Sequence, residues 1–398
     1  MINCFQKGYP FLLCLYALGL NAQITDTVWY EGTNQVREII TSIDVKGEKI
    51  KHGLYKIFYD DGVLWQMGNY NTGLLDSTWL DYYPNGTLKQ EMPFVNGLLQ
   101  GQLVYYFPGG SVQQKVQYKN DKPEGTTISF FENGDTAEIT PYINSFVHGE
   151  VIAFYNDRRK RFVKTYRYGV QSGPQTEWYE NGKIKERSFK TNGEYDSLFI
   201  GYYKDYADGA ISKKCYYKNG KLNGPFTGYY PNGSVMNECY YKDNCIEGQM
   251  TIYFEADRPL AKGQIKEQGI YSGCQKAGIW KNYYATGELH ASGTYKNNKF
   301  NGEWKVYAPN GILIQLGNYV DGLAQGNWQF FYDTGELKNT GEFLNDKKNG
   351  KWITYYNTGE LMTEIHFTDG QKDGKAVSYE KNGTIKEIVN YKHNEKVD

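Results

Sequence analysis

A period of 24 residues leaves this chain few ways to fold. Gly302-x-Trp304 leads through Tyr307 and Asn310-Gly311 to Leu313, Gly317 and Tyr319. The pattern returns as Gly326-x-Trp328 with Phe331-Tyr332, Thr334-Gly335, Leu337, Gly341 and Phe343. It returns again as Gly350-x-Trp352 with Tyr355-Tyr356, Thr358-Gly359, Leu361 and Phe367. A fixed period of this size marks a repeat array, in which each unit buries its apolar side only against its neighbours. Unit starts fall at Gly53, Ser77, Gly101, Gly125, Gly149, Gly173, Ser197, Gly224, Gly248, Gly278, Gly302, Gly326, Gly350 and Gly374. Two steps are longer: the one from Ser197 by three residues, around Lys204 to Asp208, and the one from Gly248 by six, within Asp257 to Ala277. Insertions of that kind belong in loops.

The unit reads as a β-hairpin. Tyr83-Pro84-Asn85-Gly86, Tyr230-Pro231-Asn232-Gly233 and Ala308-Pro309-Asn310-Gly311 place Pro where φ near −65° is wanted, and Gly where a left-handed residue closes a type I turn into a bulge. A second turn signal follows in the return loop, as in Asn219-Gly220, Asp321-Gly322 and Asp369-Gly370. The fifth residue after every start is aromatic, from Phe58 to Tyr379, and the sixth fails to be only at Ala308 and Glu380. Neighbours on a strand point to opposite faces, so aromatics line both faces of the sheet. A central Gly in the second strand (Gly68, Gly293, Gly317, Gly341) weakens a strand unless something packs closely there, and a neighbouring aromatic ring is expected to fill each gap.

With 38 Tyr and 45 Gly but only 11 Pro in 398 residues, composition agrees with short strands and tight turns. A mean hydropathy of −0.67 excludes a multi-span membrane protein. A net charge of −1 gives no footprint for nucleic acid and no support for association with an anionic membrane surface. At the N-terminus, Lys7, the apolar run Tyr9 to Leu20 and the small residue in Asn21-Ala22-Gln23 read as a cleaved export signal over residues 1–22. Its destination is read as periplasm or cell envelope, with the extracellular space as the alternative. Residues 23–52 read as an atypical capping segment, with a strand over Val36 to Val45, ahead of the array at 53–398.

After the leader, Cys215, Cys239, Cys245 and Cys274 remain. Cys215 and Cys239 hold equivalent places in consecutive units, two strands or roughly 9.5 Å apart, too far for a disulfide. Cys245 and Cys274 lie in loops, one beside an insertion, and their pairing is left open by sequence. Catalytic material is sparse. His52, His148, His290, His366 and His393 are scattered, and no HExxH, GxSxG, CxxC or phosphate-loop pattern occurs. The one enzymatic reading would use Cys274 and His290 beside the six-residue insertion. Asp60-Asp61-Gly62 reads as an Asx-type cap, since calcium needs six to eight oxygens. No metal and no cofactor is expected.

Trp79, Trp280, Trp304, Trp328 and Trp352 share the second position after the start, the last four in consecutive units. At about 10 Å spacing they could form a contact row for a protein, a polysaccharide or an extended peptide. The favoured expectation is that they fill the glycine gaps as the array's own core, with the contact row as the alternative. A thin sheet cannot bury aromatics on both faces by itself, and exposed aromatic patches mark contact sites. The terminal strand near Tyr391 leaves an unpaired edge for a partner strand or a second copy.

The run of start Gly, Trp, Tyr-Tyr, Asn-Gly, Leu, Gly-x-Tyr and Asn-Gly-Lys resembles the MORN repeat, in the variant common among bacterial YwqK-type antitoxin proteins. The units at Gly224, Gly278, Gly302, Gly326 and Gly350 match best, and the resemblance runs from about Tyr30 to the end. Units at Gly125, Gly149 and Gly173 depart, with Thr127, Val151 and Gln175 where Trp is typical. The resemblance implies an all-β, elongated, solenoid-like array of about fourteen hairpins in one twisted antiparallel sheet. It further implies a non-enzymatic scaffold that binds another protein, with membrane linkage in some relatives and contact neutralisation in the antitoxin-like ones.

Overall fold

The computed structural model describes residues 22–207 and 209–397, so the leader lies outside the described residues but for Ala22. Those residues form 35 strands and no helix. Contacts divide the chain into two compact units, residues 1–158 and 159–398, each a meander in which every ladder joins chain neighbours antiparallel.

The fourteen expected hairpins supply 28 of these strands. The surplus has physical causes. Ile24–Trp29 and Val36–Val45 form a further hairpin ahead of Glu48–Phe58, in the segment read as a cap. Leu98–Leu99, Lys122–Pro123, Phe146–Val147 and Cys245–Ile246 are first strands cut off from the rest of their strand just before a start glycine. There Gln100, Glu124, His148 and Glu247 donate their N–H back to a carbonyl of the preceding strand (2.9 Å each). Glu395–Val397 pairs with Asn390–Lys392, so the strand around Tyr391 that sequence left open has a partner over those residues.

Both turns follow from backbone chemistry. In the hairpin turn, Tyr59 accepts from Gly62 (3.0 Å) and donates to Val63 (2.8 Å), and the ladder shifts between Ile57 and Phe58. Gly62 carries the left-handed φ of 89° that this bulge needs. The return loops are two-residue type I′ turns, with positive φ at both positions, as at Asn96 (50°) and Gly97 (82°). Asn, Asp and Gly tolerate that region best, which is why they recur there.

Candidate interaction face

One face of the sheet is a closed column. Successive ladder partners alternate along it: Met250 with Gly269, Trp280 with Gly293, Trp304 with Gly317, Trp328 with Gly341. Each indole lies over the glycine of the preceding unit. A methyl group added at Gly269 would stand 2.2 Å from the Trp280 ring, and one at Gly317 would stand 2.0 Å from Trp328. Gly68 under Trp79, Gly293 under Trp304 and Gly341 under Trp352 repeat the fit. The expected ring-in-gap packing is therefore present. Tyr271, Tyr319 and Phe343 meet Trp280, Trp328 and Trp352 edge to face at 5.0–5.3 Å. The indole N–H of Trp79, Trp280 and Trp352 donates to the carbonyl ten residues back. Lys276 and Lys348 lie 3.8 and 4.2 Å above the Trp280 and Trp352 rings.

This packing corrects the contact-row reading. Trp280 is 1% exposed and Trp328 2%, with Trp79 and Trp352 also buried; Trp304 alone keeps partial exposure. Four of the five rings have no face left for a protein or a sugar. Glycine removes the side chain that would have held the indole off the sheet, so the row becomes core.

The seams between units run along both strand ends. At the hairpin turns, the sixth-position tyrosine donates its hydroxyl to a carbonyl of the next unit: Tyr59 to Tyr82, Tyr83 to Tyr106, Tyr284 to Tyr307, Tyr356 to Tyr379, each at 2.9 Å. That carbonyl belongs to the bulged fifth residue. Tyr30 makes the same bond to Phe58 (2.7 Å), so the opening segment joins the seam. At the return loops the side chain of one turn accepts an N–H from the unit before it, Leu222 to Asn244 and Lys276 to Asn298 (2.7 Å each). At Cys274, which stands where Asn244 and Asn298 stand in their units, the link is covalent. Cys274 bonds Cys245, with Cα atoms 4.7 Å apart, settling the pairing that sequence left open. Cys215 and Cys239 are unbonded and buried in the closed column, as expected. Burial pushes both thiols up, Cys239 to about 11, which keeps them protonated and unreactive.

Residues with catalytic potential are used in the same seams. His52 Nδ1 accepts from Thr72 N (3.2 Å), the bond that Gln100, Glu124 and Gln325 side chains make in their own units. His290 packs against Tyr284 with ring centroids 4.6 Å apart and planes tilted by 47°, and Asp61 caps its turn by accepting from Val63 N (2.9 Å). Among the described residues no group of three or more His, Cys, Asp or Glu side chains could hold a metal ion.

The opposite face carries the open surface. One residue after each closed-column position the chain points outward, so Cys215, Cys239 and Gly269 inside are followed by Tyr216, Tyr240 and Ile270 outside. Ladder partners place these in one row: Pro174 with Phe189, Leu198 with Tyr216, Pro225 with Tyr240, Gln249 with Ile270, and Ile279 with Thr294. Phe189, Leu198, Tyr216, Tyr240, Ile270 and Ile279 are all exposed, Ile279 at 62%. Further along the second unit the same row reads Glu303 with Asn318, Asn327 with Glu342 and Lys351 with His366. But for Gln249, the row is thus apolar over nine consecutive strands, about 38 Å at about 4.8 Å per strand, and polar beyond them. Sequence reasoning fixed on tryptophan and missed it, although alternation next to the Cys-Tyr and Gly-Ile pairs carried the signal.

The MORN repeat variant model matches residues 51–72, 75–96, 99–120, 171–190, 222–243, 276–297, 300–321, 324–345, 348–369 and 372–393. Among curated proteins none matches this chain. Two solved structures are similar over most of its length: the TcdB2-TccC3-Cdc42 complex at 10% identity over 92% of this chain, with a TM-score of 0.15, and the Photorhabdus luminescens Tc holotoxin pore at 11% identity over 92%, with a TM-score of 0.13. The chain spans 25% and 29% of those chains, and at such scores the likeness carries no argument. The ten matched segments lie in register with the hairpins and cover more than half of the residues, and the chain belongs to the MORN repeat variant family.

Proposed function

We propose that this protein is a non-enzymatic scaffold that holds a protein partner against the open face of the units from Gly173 to Gly278. The observation that carries the reading is the exposed row of Phe189, Leu198, Tyr216, Tyr240, Ile270 and Ile279, apolar where its continuation is polar. Contiguous exposed apolar surface rimmed by polar residues is what contact sites present. His52, His290, Asp61 and the four cysteines are each taken up in packing, a cap or a seam, which supports a role without a reaction.

Export through the leader at residues 1–22 completes the reading, and the Cys245–Cys274 bond supports it, since structural disulfides belong to oxidising compartments. A mature protein beginning near Gln23 in N-terminal sequencing is expected; an intact Met1 removes this part. The antitoxin-like role is the finer version of the same mode, neutralisation by contact, with a toxin as the partner.

The test compares captures by the full chain and by a Tyr216→Ser/Tyr240→Ser/Ile270→Ser variant, all three positions being exposed and outside the closed column. A protein retained by the wild type and by a Glu303→Ser/Lys351→Ser control, but lost by the triple variant, supports the reading. A protein retained equally by all three places its contact elsewhere and removes it.

A further inference from the structure

The charges on the open face choose among partners. Each outward strand there alternates in steps of two, so Arg187 shares its side with Phe189, Lys214 and Lys218 flank Tyr216, and Lys242 follows Tyr240. Lys221 faces Lys218 across the return turn, and Lys281 lies beyond Ile279 on the same strand. Among the described residues none of these six has an ion-pair partner; Lys214 only approaches the Tyr229 ring at 6.0 Å. On this side the carboxylates are fewer and engaged: Asp196, the ladder partner of Phe189, accepts from the Thr191 hydroxyl at 3.1 Å. Glu238 is held by Lys262 at 2.7 Å and by the Tyr253 hydroxyl at 2.9 Å, and Glu194 sits at a turn. The whole chain is close to neutral, at −1, so this excess of base is local.

Resting on the docking reading above, we infer that the partner presents an acidic segment in which aromatic or aliphatic side chains alternate with Asp and Glu. The apolar row is narrow, with base on both sides of Tyr216 (Lys214 and Lys218), on one side of Phe189 (Arg187) and Ile279 (Lys281), and with Lys242 across Tyr240 from Glu238. A single chain segment matches that arrangement, with apolar side chains on the row and carboxylates against Lys214, Lys218 and Lys242. A bilayer, whose apolar region extends in two dimensions, matches it less well. Charges at the rim of an apolar contact set partner choice and encounter rate more than total affinity, and they make binding salt-dependent.

Random peptides displayed on phage are selected on the full chain, and those also retained by the Tyr216→Ser/Tyr240→Ser/Ile270→Ser variant are discarded. The remaining peptides are then measured by fluorescence anisotropy against the wild type and a Lys214→Glu/Lys218→Glu/Lys242→Glu variant. Enrichment of Asp and Glu, with about tenfold weaker binding after charge reversal and in high salt, is the expected result. Row-dependent peptides that are neutral or basic, or indifferent to charge reversal, overturn the acidic-partner inference and leave the docking reading standing. If no peptide distinguishes the triple serine variant while phosphatidylglycerol vesicles do, the face is a membrane surface and both fall. If neither probe distinguishes it, the row is no contact site and both fall as well.

Discussion

Two stretches of the closed column solve the same packing problem with opposite side chains. In the second unit, Trp280, Trp304, Trp328 and Trp352 lean on Gly269, Gly293, Gly317 and Gly341. In the first unit, Leu103 pairs with Val116 and Thr127 with Thr140, while Val151 and Ala153 are buried as well. The hairpins are nonetheless alike in register, including the bulge before the fifth residue at Tyr105/Tyr106, Ser129/Phe130 and Asn282/Tyr283. Units that departed from the Trp consensus therefore depart in side-chain volume and keep the hairpin. What persists along the column is the sum of two facing volumes: one very large ring over no side chain, or two of middling size. Phe226 facing Cys215 and Cys239, and Trp352 followed by Ile365 facing Ala376, are intermediate settlements.

The largest expected effect breaks the large-ring solution. Trp328→Ala should cost its hairpin about 4 kcal/mol, against about 1 kcal/mol for Thr127→Ala, because the cavity beside Gly317 cannot be filled. Since stability in repeat arrays is local, the measurement is hydrogen exchange of amides in each hairpin. Equal losses at the two sites would mean that column volume is not what holds the units together.

Next comes the covalent seam. Cys245→Ser/Cys274→Ser should cost about 3 kcal/mol in the Gly224 and Gly248 units, read as faster exchange there than in the Gly302 unit. Gly317→Ala should follow at about 2 kcal/mol, and a Trp328→Leu partner should recover most of it by copying the arrangement at Leu103. Failure of that rescue would refute volume matching, since the double variant leaves the backbone chemistry of Ala in place of Gly as the remaining cause. Tyr284→Phe, which removes a single hydroxyl-to-carbonyl seam bond, should cost about 1 kcal/mol.

The smallest effect is a pH dependence shared by both regions. Burial, then hydrogen bonding to Glu91, pushes the Tyr106 phenol up to about 12. Burial and the neighbouring Glu186 push Tyr195 up to about 12. Both start from an ordinary value of 10.0. A raised folded-state value means that this stabilisation is complete below pH 10 and is lost as pH rises toward 12. Tyr106→Phe should flatten the fall in an alkaline titration followed by far-UV circular dichroism; an unchanged profile would assign the fall to other tyrosines.

Much of this was legible in the chain. The 24-residue period, the Asn-Gly turns and the central glycines each have a local cause, and local causes survive translation from sequence to hairpin. The strand Val36–Val45 and the unbonded Cys215 and Cys239 followed from the same reasoning. The contact face did not. Tryptophan row and tyrosine–isoleucine row look equally apolar in sequence, and only the position of each glycine relative to the next unit's ring tells which is covered. The Cys245–Cys274 bond was open for a similar reason, since its two loops meet only once the units stack.

By itself, then, the sequence determined that this protein is an array of antiparallel hairpins, because turn conformation and strand alternation are set within a few residues. Tertiary structure decided that the tyrosine–isoleucine row stays open, because burial depends on what the neighbouring units leave vacant. It also decided that two distant cysteines would take the place of a hydrogen bond between neighbouring loops.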